Sequence, residues 1–550
     1  MLTNENAARP RPRSDAVTEV LPRTTAGTVI MPRVTRPIPP ARENAPTVVE
    51  RSVRYPSWQQ ALIFLLPASL TLAIGARGIA DRQLWNDEYA TWHAANLDWT
   101  ELSRLLDHVD RVLGLYYVLM HGWVSLVGDD PSMLRLPSLV AMSCAAGCTA
   151  LVGQRLFDWY AGLAAGVIFG LVPSVSRYAQ EARPYALSIA AVTLGTALLL
   201  VSLERPRWPW WFAYSFSMVL ACAFHLVAGL VLAAHAIIFW LRYQRSERDV
   251  RLWKYLGALA LIAAVALPLI HSGSDQSGSI HWIKADGATV VELPERLFGS
   301  YRAAAAVCAL GLLGLLALPF VRRRGTLVAL LVWALFPPLF TFVTFPLLHL
   351  FLYRYFLFTL PAWALLAAGG LHAMTRLVFR RSWPQLLVAV AALPGLILLA
   401  LPGQREVREP VVEWEPDFRS AARMIAPNVR PGDAIAYAGL ARPPRLAMAY
   451  ELRDGGLPAD IFLARSPAER GSFAGQECDV ALSCLGDHKR IWLVSTSARQ
   501  QPWSEMPQDR AATLSKLFQI VQEERFQHVQ VYLLVPKPKP KPKPKPKPKH

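Results

Sequence analysis

Residues 208–241 form a run of 34 with no Asp, Glu, Lys or Arg, and residues 325–353 form a second charge-free run of 29. A bilayer core takes roughly 20 apolar residues per helix, and no water-soluble domain needs several such runs. The 550-residue chain is 53% hydrophobic and only 18% charged, where a soluble chain carries about a quarter charged residues. These runs exclude a soluble enzyme and a disordered protein. They imply a mainly α, polytopic membrane protein.

Eleven apolar blocks can be counted, at 58–76, 113–127, 134–154, 161–180, 185–203, 208–241, 253–272, 303–321, 325–348, 355–375 and 384–402. Lys and Arg in short loops set orientation. Three loops are basic enough to be cytoplasmic: 242–254 with five basic residues, Arg322-Arg323-Arg324, and 376–381. Alternation from these puts the N-terminus inside. Loops 77–112, 273–302 and 349–354, and everything after 402, fall outside. Block 208–241 is long for one untilted span. It is either one tilted helix or two segments turning at His225, and the second choice changes the side of 128–205.

The net charge of +17 invites a nucleic-acid reading, but most of it sits at the ends. Residues 1–54 hold nine Arg against five acids, and the Pro-Lys repeat of 536–549 holds seven Lys. Charge runs of this kind act as solvated tails or topology signals, so nucleic-acid binding is not expected. Residues 1–57 read as a disordered basic cytoplasmic tail. No cleavable signal peptide is visible, and the first apolar block serves as an uncleaved anchor. Residues 536–550 read as an extended low-complexity tail.

Residues 58–402 are the membrane domain, and residues 403–535 change character. Segments 433–438, 490–495 and 529–535 read as short buried strands, and 416–426 and 508–525 as helices. This alternation predicts a small extracytoplasmic α/β domain. Cys144, Cys148, Cys222 and Cys308 lie in apolar helices, where cysteine packs as a small residue. Cys478 and Cys484, six apart in the outer domain, suit a local disulfide.

Three polar motifs fall at the ends of apolar blocks. The outer loop after the first block reads Leu84-Trp85-Asn86-Asp87-Glu88-Tyr89, with adjacent carboxylates just past the membrane exit. An interfacial carboxylate beside apolar surface can act as a general base; the alternative is a solvated loop or a helix cap at Asn86. An amphipathic stretch at 97–106 follows and would lie along the bilayer surface. The second motif is Gln180-Glu181-Ala182-Arg183-Pro184-Tyr185. Its charges either pair with each other or offer Arg183 to a phosphate. The third is Tyr353-Arg354-Tyr355 with Pro361; Arg354 is the only formal charge between Arg324 and Arg376. It is either an interfacial anchor or a phosphate ligand. Loop 273–302 adds His281, Trp282 and Lys284, with Gly273, Gly278 and Gly287 as hinges for a lid. His225 reads as a packing residue.

Trp85-Asn86-Asp87-Glu88, Gly114-Leu115-Tyr116-Tyr117, Leu134-Arg135-Leu136-Pro137-Ser138, Gln180 to Leu187, and Arg354-Tyr355 with Pro361 stand in an order that resembles the GT-C integral-membrane glycosyltransferases. The likeness is to the bacterial protein mannosyltransferase and aminoarabinose-transferase relatives, which use polyprenyl-phosphate sugars. It covers about 58–400, and the outer domain is similar to tails of bacterial relatives. The resemblance implies an inverting glycosyltransferase of the bacterial inner membrane with an extracytoplasmic active site. Asp87 would be the base and Glu88 would orient the acceptor or Asp87, the two roles being interchangeable. Arg183, Arg354, Lys284, Tyr185 and Tyr355 would hold the donor phosphate, and Arg111, His281 and Trp282 would serve the acceptor or a lid. The implied partners are a polyprenyl-phosphate sugar, with mannose the first expectation, and a glycan, lipid or protein of the envelope. No cofactor is expected, although some relatives bind a divalent metal. Where relatives carry a His-Pro-Pro signature, this chain reads Asp110-Arg111-Val112-Leu113-Gly114.

Two other classes compete. A transporter would place its ionisable residues at the bilayer midplane, whereas here they collect at one face. A non-catalytic envelope-binding scaffold would need none of them.

Overall fold

The structure is a computed structural model and describes residues 56–244, 249–316, 324–379, 382–411, 415–439, 442–496, 502–503 and 505–538. Most of both terminal tails, and the centres of the three basic loops, lie outside the described residues.

Helix α1 (Ser57–Ala76) is 20 residues of nearly unbroken apolar sequence, about 30 Å at 1.5 Å per residue, enough to span a bilayer. The chain then forms α2 (Asn86–Asn96), α3 (Trp99–His108) and α4 (Gly114–Val127) before α5 (Pro131–Leu156). Helices α6 (Trp159–Leu171) and α7 (Pro173–Ala179) are bent by 66° at Pro173, followed by α8 (Tyr185–Glu204) and α9 (Trp208–Phe224). A 3-10 segment (Leu226–Val231) leads into α10 (Leu232–Tyr243). Then come α11 (Asp249–Asp275), α12 (Gly287–Phe298) and α13 (Tyr301–Leu316), the last two meeting at 87°. Helices α14 (Arg324–Val343), α15 (Phe345–Leu348), α16 (Leu360–Val378) and α17 (Ser382–Glu406) complete the membrane domain. Small residues let these helices approach closely. A Cβ on Gly162 of α6 would lie 2.5 Å from the Ala150 carbonyl of α5, and one on Gly170 would lie 2.4 Å from Thr71 of α1.

Among the described residues, seven helices are long and apolar enough to cross a membrane, or nine if each bent pair is one span. Two of the eleven expected blocks behave differently from expectation. Block 113–127 does not cross. Its helix α4 has 14 residues, about 21 Å, and both its ends lie at the same face. At its start Tyr117 Oη donates to Asp110. Just past its end Asp129 accepts from Trp92 Nε1 of α2 at 2.7 Å, and its carbonyl accepts from Tyr450 of the outer domain. Block 208–241 breaks at His225 into α9 and α10, of which only the second, with the 3-10 segment before it, is long and apolar enough to cross a membrane. Loops 77–85, 180–184, 276–286 and 349–354 share one face. Loops 157–158 and 205–207 and the start of α11 share the other, where Asp158 meets His372 of α16 and Lys254 donates to the Pro206 carbonyl.

The C-terminal domain is built on a five-stranded mixed sheet. Strands β1 (Ala434–Ala438), β2 (Ala459–Asp460), β3 (Leu463–Arg465), β4 (Gln476–Glu477), β5 (Ile491–Ser495), β6 (Phe518–Phe526) and β7 (Val529–Pro536) give the order β2-β1-β5-β7-β6, with β3 and β4 a separate antiparallel pair. Strand β1 runs parallel to β2 and β5, and β7 runs antiparallel to β5 and β6. The expected strands at 433–438, 490–495 and 529–535 are present, as is helix α18 (Phe418–Ile425). The expected helix at 508–525 ends at Leu517, and the remainder is β6. Residues 519–526 alone have no helical apolar stripe, and the partner strand β7 supplies the hydrogen bonds that fix them. Cys478 and Cys484 are disulfide-bonded, and the other four cysteines are free.

The C-terminal domain is seated on α2 and loop 77–85. Phe418, Ile435, Trp492 and Val531 share one apolar core with Tyr89, Ala90 and Ala94 of α2. Arg82 meets Glu415 at 2.6 Å with both side chains buried, and Tyr89 Oη donates to Glu451 at 3.0 Å.

Candidate active site

Helix α2 begins one residue earlier than a cap at Asn86 would require, because Trp85 is its N-cap. The Trp85 amide donates to the Glu88 carboxylate at 3.3 Å, which ties the first turn together. Residues 87 and 88 are about 100° apart around a helix, so they face different surroundings.

Glu88 points inward and is 1% exposed. Arg135, one turn inside α5 and fully buried, donates to both its oxygens at 2.8 Å. The Ala182 amide donates to it at 2.8 Å. Burial pushes the Glu88 carboxyl up, but the Arg135 charge and these hydrogen bonds pull harder and hold it below its ordinary value. Arg135 also donates to the carbonyls of Ile79, Arg82 and Gln83. One guanidinium therefore fastens loop 79–83, α2 and, through Glu88, loop 180–184. Glu88 has no free face toward an acceptor, so its expected interchangeability with Asp87 does not hold. A charge inside an apolar block is costly unless paired, which is the signal in the sequence that points to Arg135.

Asp87 points outward and is 23% exposed. Arg354 Nη2 lies 3.5 Å from its Oδ2, and Arg183 Nε lies 4.0 Å away. Arg354 stands over the rings of Trp85 and Trp282, at 5.4 and 5.7 Å. Arg183 Nη1 donates weakly to Tyr117 Oη, which in turn donates to Asp110. Asp110 is a non-glycine residue with φ 55°, a strained conformation that the Tyr117 bond helps hold. The buried Nε–H groups of Arg183 and Arg354 have no acceptor among the described residues. Two guanidinium groups with unused donors beside a carboxylate form a site ready for an anion.

Glu181 pairs with Arg177 rather than with Arg183. Burial raises its carboxyl to about 7, more than the Arg177 charge lowers it. Tyr185 begins α8 with its ring 5.5 Å from Tyr178, and the rings of Tyr185 and Tyr355 both flank His225. Trp282 joins the site through Arg354. Three expected residues do not. Lys284 is exposed and makes no ion pair among the described residues. The Arg111 side chain is half-exposed and held by Asp107 at 2.7 Å. The His281 ring lies tilted against His349 at 5.1 Å. Loop 273–302 is no loose lid: Asp286 caps α12, which occupies 287–298. The amphipathic stretch at 97–106 forms α3, burying Leu102 and Leu105 and exposing Trp99. Sequence reading gave no role to Arg135, Tyr117 or Asp110.

The fold is that of the GT-C integral-membrane glycosyltransferases, with a strand-containing C-terminal domain. Residues 115–271 match the profile of a family described as dolichyl-phosphate-mannose-protein mannosyltransferase. Among solved structures, ArnT from Cupriavidus metallidurans bound to undecaprenyl phosphate is similar at TM-score 0.54 and 14% identity, over 87% of this chain and 98% of that one. The apo state of the same protein is similar at 0.54 and 15%, over 85% and 97%. The archaeal oligosaccharyltransferase AglB from Archaeoglobus fulgidus, in complex with an inhibitory peptide and a dolichol-phosphate, aligns at TM-score 0.44 and 11% identity, over 80% and 69%. No curated protein matches this sequence.

Proposed function

We propose that the protein is an inverting glycosyltransferase that moves a sugar from a polyprenyl-monophosphate donor to a hydroxyl of an envelope acceptor. The observation that carries this reading is the partly exposed Asp87 with Arg354 and Arg183 beside it, each with an unused Nε–H. The donor phosphate would take those two donors and draw the guanidinium groups off Asp87. Asp87 would then accept the proton of the acceptor hydroxyl as its oxygen attacks the anomeric carbon. The bond from that carbon to the phosphate oxygen breaks on the opposite face, and its electron pair leaves with the phosphate. Arg183 and Arg354 stabilise the charge that grows there, which is where preorganised cations act most. These cations meet the need of a monophosphate leaving group, so the scheme assigns no step to a metal. Glu88 and Arg135 position α2 and the 180–184 loop.

Tyr185 and Tyr355 stand next to the two arginines. Trp282 covers Arg354, while Lys284, Arg111 and His281 stand outside this cluster and are assigned no step. Mannose is the first expectation for the sugar, supported by the description of the matched family. Basic residues concentrate at the face opposite Asp87, for example Arg205, Arg207, Arg251 and Lys254. The positive-inside tendency makes that face cytoplasmic and places the site and the outer domain outside a bacterial inner membrane. The test uses membranes containing the protein, radiolabelled polyprenyl-phosphate mannose and envelope acceptors. Transfer should occur, and Asp87→Asn should abolish it without loss of folded protein. Full transfer by Asp87→Asn would overturn the base assignment.

A further inference from the structure

We propose that Tyr185, His225 and Tyr355 form the subsite for the sugar ring of the donor, and that His225 determines which sugar is accepted. This rests on the phosphate reading of Arg183 and Arg354. The sugar is bonded directly to that phosphate and must also face Asp87, so its ring lies within a few ångströms of both. The residues already at that place are specific. Tyr355 follows Arg354 in the chain, and Tyr185 lies two residues after Arg183. The ring of His225 sits between them, 5.4 Å from Tyr185 and 4.8 Å from Tyr355.

Three further facts separate this box from ordinary packing. Neither ring nitrogen of His225 makes a hydrogen bond among the described residues, and the side chain stays partly accessible. Among the described residues the hydroxyls of Tyr185 and Tyr355 also lack a partner, although Tyr185 is buried and Tyr355 half-buried. Three polar side chains with no partner among the described residues, packed ring to ring beside a cation pair, suit a ligand rich in hydroxyls. The third fact is the backbone. The apolar run is broken at His225, where the chain leaves α9 with φ −156° and continues as 3-10 helix. A helix interruption within a membrane domain is tolerated where it is buried in protein or lines a cavity. Two tyrosine faces can cover the C–H face of a pyranose or furanose ring, while an imidazole can both donate to and accept from its hydroxyls.

The test reads binding without turnover on the full chain in nanodiscs. The probes are sugar-free undecaprenyl phosphate and a panel of synthetic polyprenyl-phosphate monosaccharides bearing mannose, arabinofuranose or galactose. Wild type should prefer one sugar lipid over the sugar-free lipid. His225→Ala should weaken that lipid by about 10- to 100-fold, the range for an unpaired buried polar contact, and leave the sugar-free lipid unchanged. His225→Gln should restore part of the loss. Tyr355→Phe removes only a hydroxyl and should weaken the sugar lipid alone. Arg354→Ala should weaken both. Equal loss for both lipids in His225→Ala would make His225 a phosphate ligand, and no loss would make it a packing residue. A wild type that prefers no sugar lipid would remove the subsite. Asp87→Asn should keep the wild-type preference, so a failure of the base assignment leaves this result standing.

Discussion

Replacing Glu88 by Gln separates its structural part from the chemistry of its neighbour. The wild-type carboxylate accepts from Arg135 Nε and Nη2 at 2.8 Å each, from the Ala182 amide at 2.8 Å and from the Trp85 amide at 3.3 Å. All four partners are donors. A Gln side chain brings an NH2 into this ring, so at least one donor faces a donor, and the buried Arg135 loses its counter-charge. Two unit charges about 4 Å apart at an effective dielectric near 20 attract by about 4 kcal/mol. Breaking one side of a buried pair costs about 3–5 kcal/mol in measured cases, so the two estimates agree. Thermal unfolding in detergent, followed by tryptophan fluorescence, should show a large drop in melting temperature for Glu88→Gln and little change for Asp87→Asn. Both variants should lose transfer. The double variant Glu88→Gln with Arg135→Met should recover part of the stability, because an apolar replacement removes the stranded charge. Full recovery is not expected, since the carbonyls of Ile79, Arg82 and Gln83 also lose their donor. If Glu88→Gln melts like wild type and loses transfer as Asp87→Asn does, Glu88 takes part in the chemistry and the strut argument is wrong.

Removing either guanidinium, Arg354→Ala or Arg183→Ala, should lower donor turnover by about 10²–10³, as measured by initial rates, with Lys284→Ala near wild type. Two groups give opposite pH trends in a melting series on the same protein. His93 of α2 is driven to about 4 by burial. Its neutral form is favoured on folding, so stability is full above about 6.5 and falls by about 3 kcal/mol as pH drops toward 4. Glu181 is raised to about 7, so the folded state holds a proton the unfolded state has lost. Stability then falls as pH rises from about 4.5 to 7, and Glu181→Gln should flatten that limb while His93→Phe flattens the other. Glu415→Ala strands the buried Arg82, so limited proteolysis should cut the junction between α17 and α18 faster, with a lower melting temperature.

Much of the fold follows from local sequence. Long charge-free runs form spanning helices because the bilayer leaves the backbone no other partners. Short β-branched and aromatic runs such as Ile491–Ser495 form strands, and two cysteines six apart reach one another. Where sequence reading went astray, a partner decided the outcome. Helix α4 is apolar enough to resemble a span, yet it is short, and contacts of Trp92, Tyr450 and Tyr117 hold both its ends at one face. Residues 518–526 follow a helix without a break signal and become a strand because β7 offers an open edge.

The candidate site divides in the same way. A few charges next to apolar blocks are legible from the chain alone: Asp87, Glu88, Arg183 and Arg354. Such charges are too costly to place there without use or partner. Their separate parts follow from packing. Asp87 and Glu88 are adjacent and chemically alike, but the helical turn sends one toward Arg183 and Arg354 and the other into a fully buried Arg135 from a helix 47 residues away. A carboxylate's role depends on the charges and donors packed against it, and those come from distant parts of the chain.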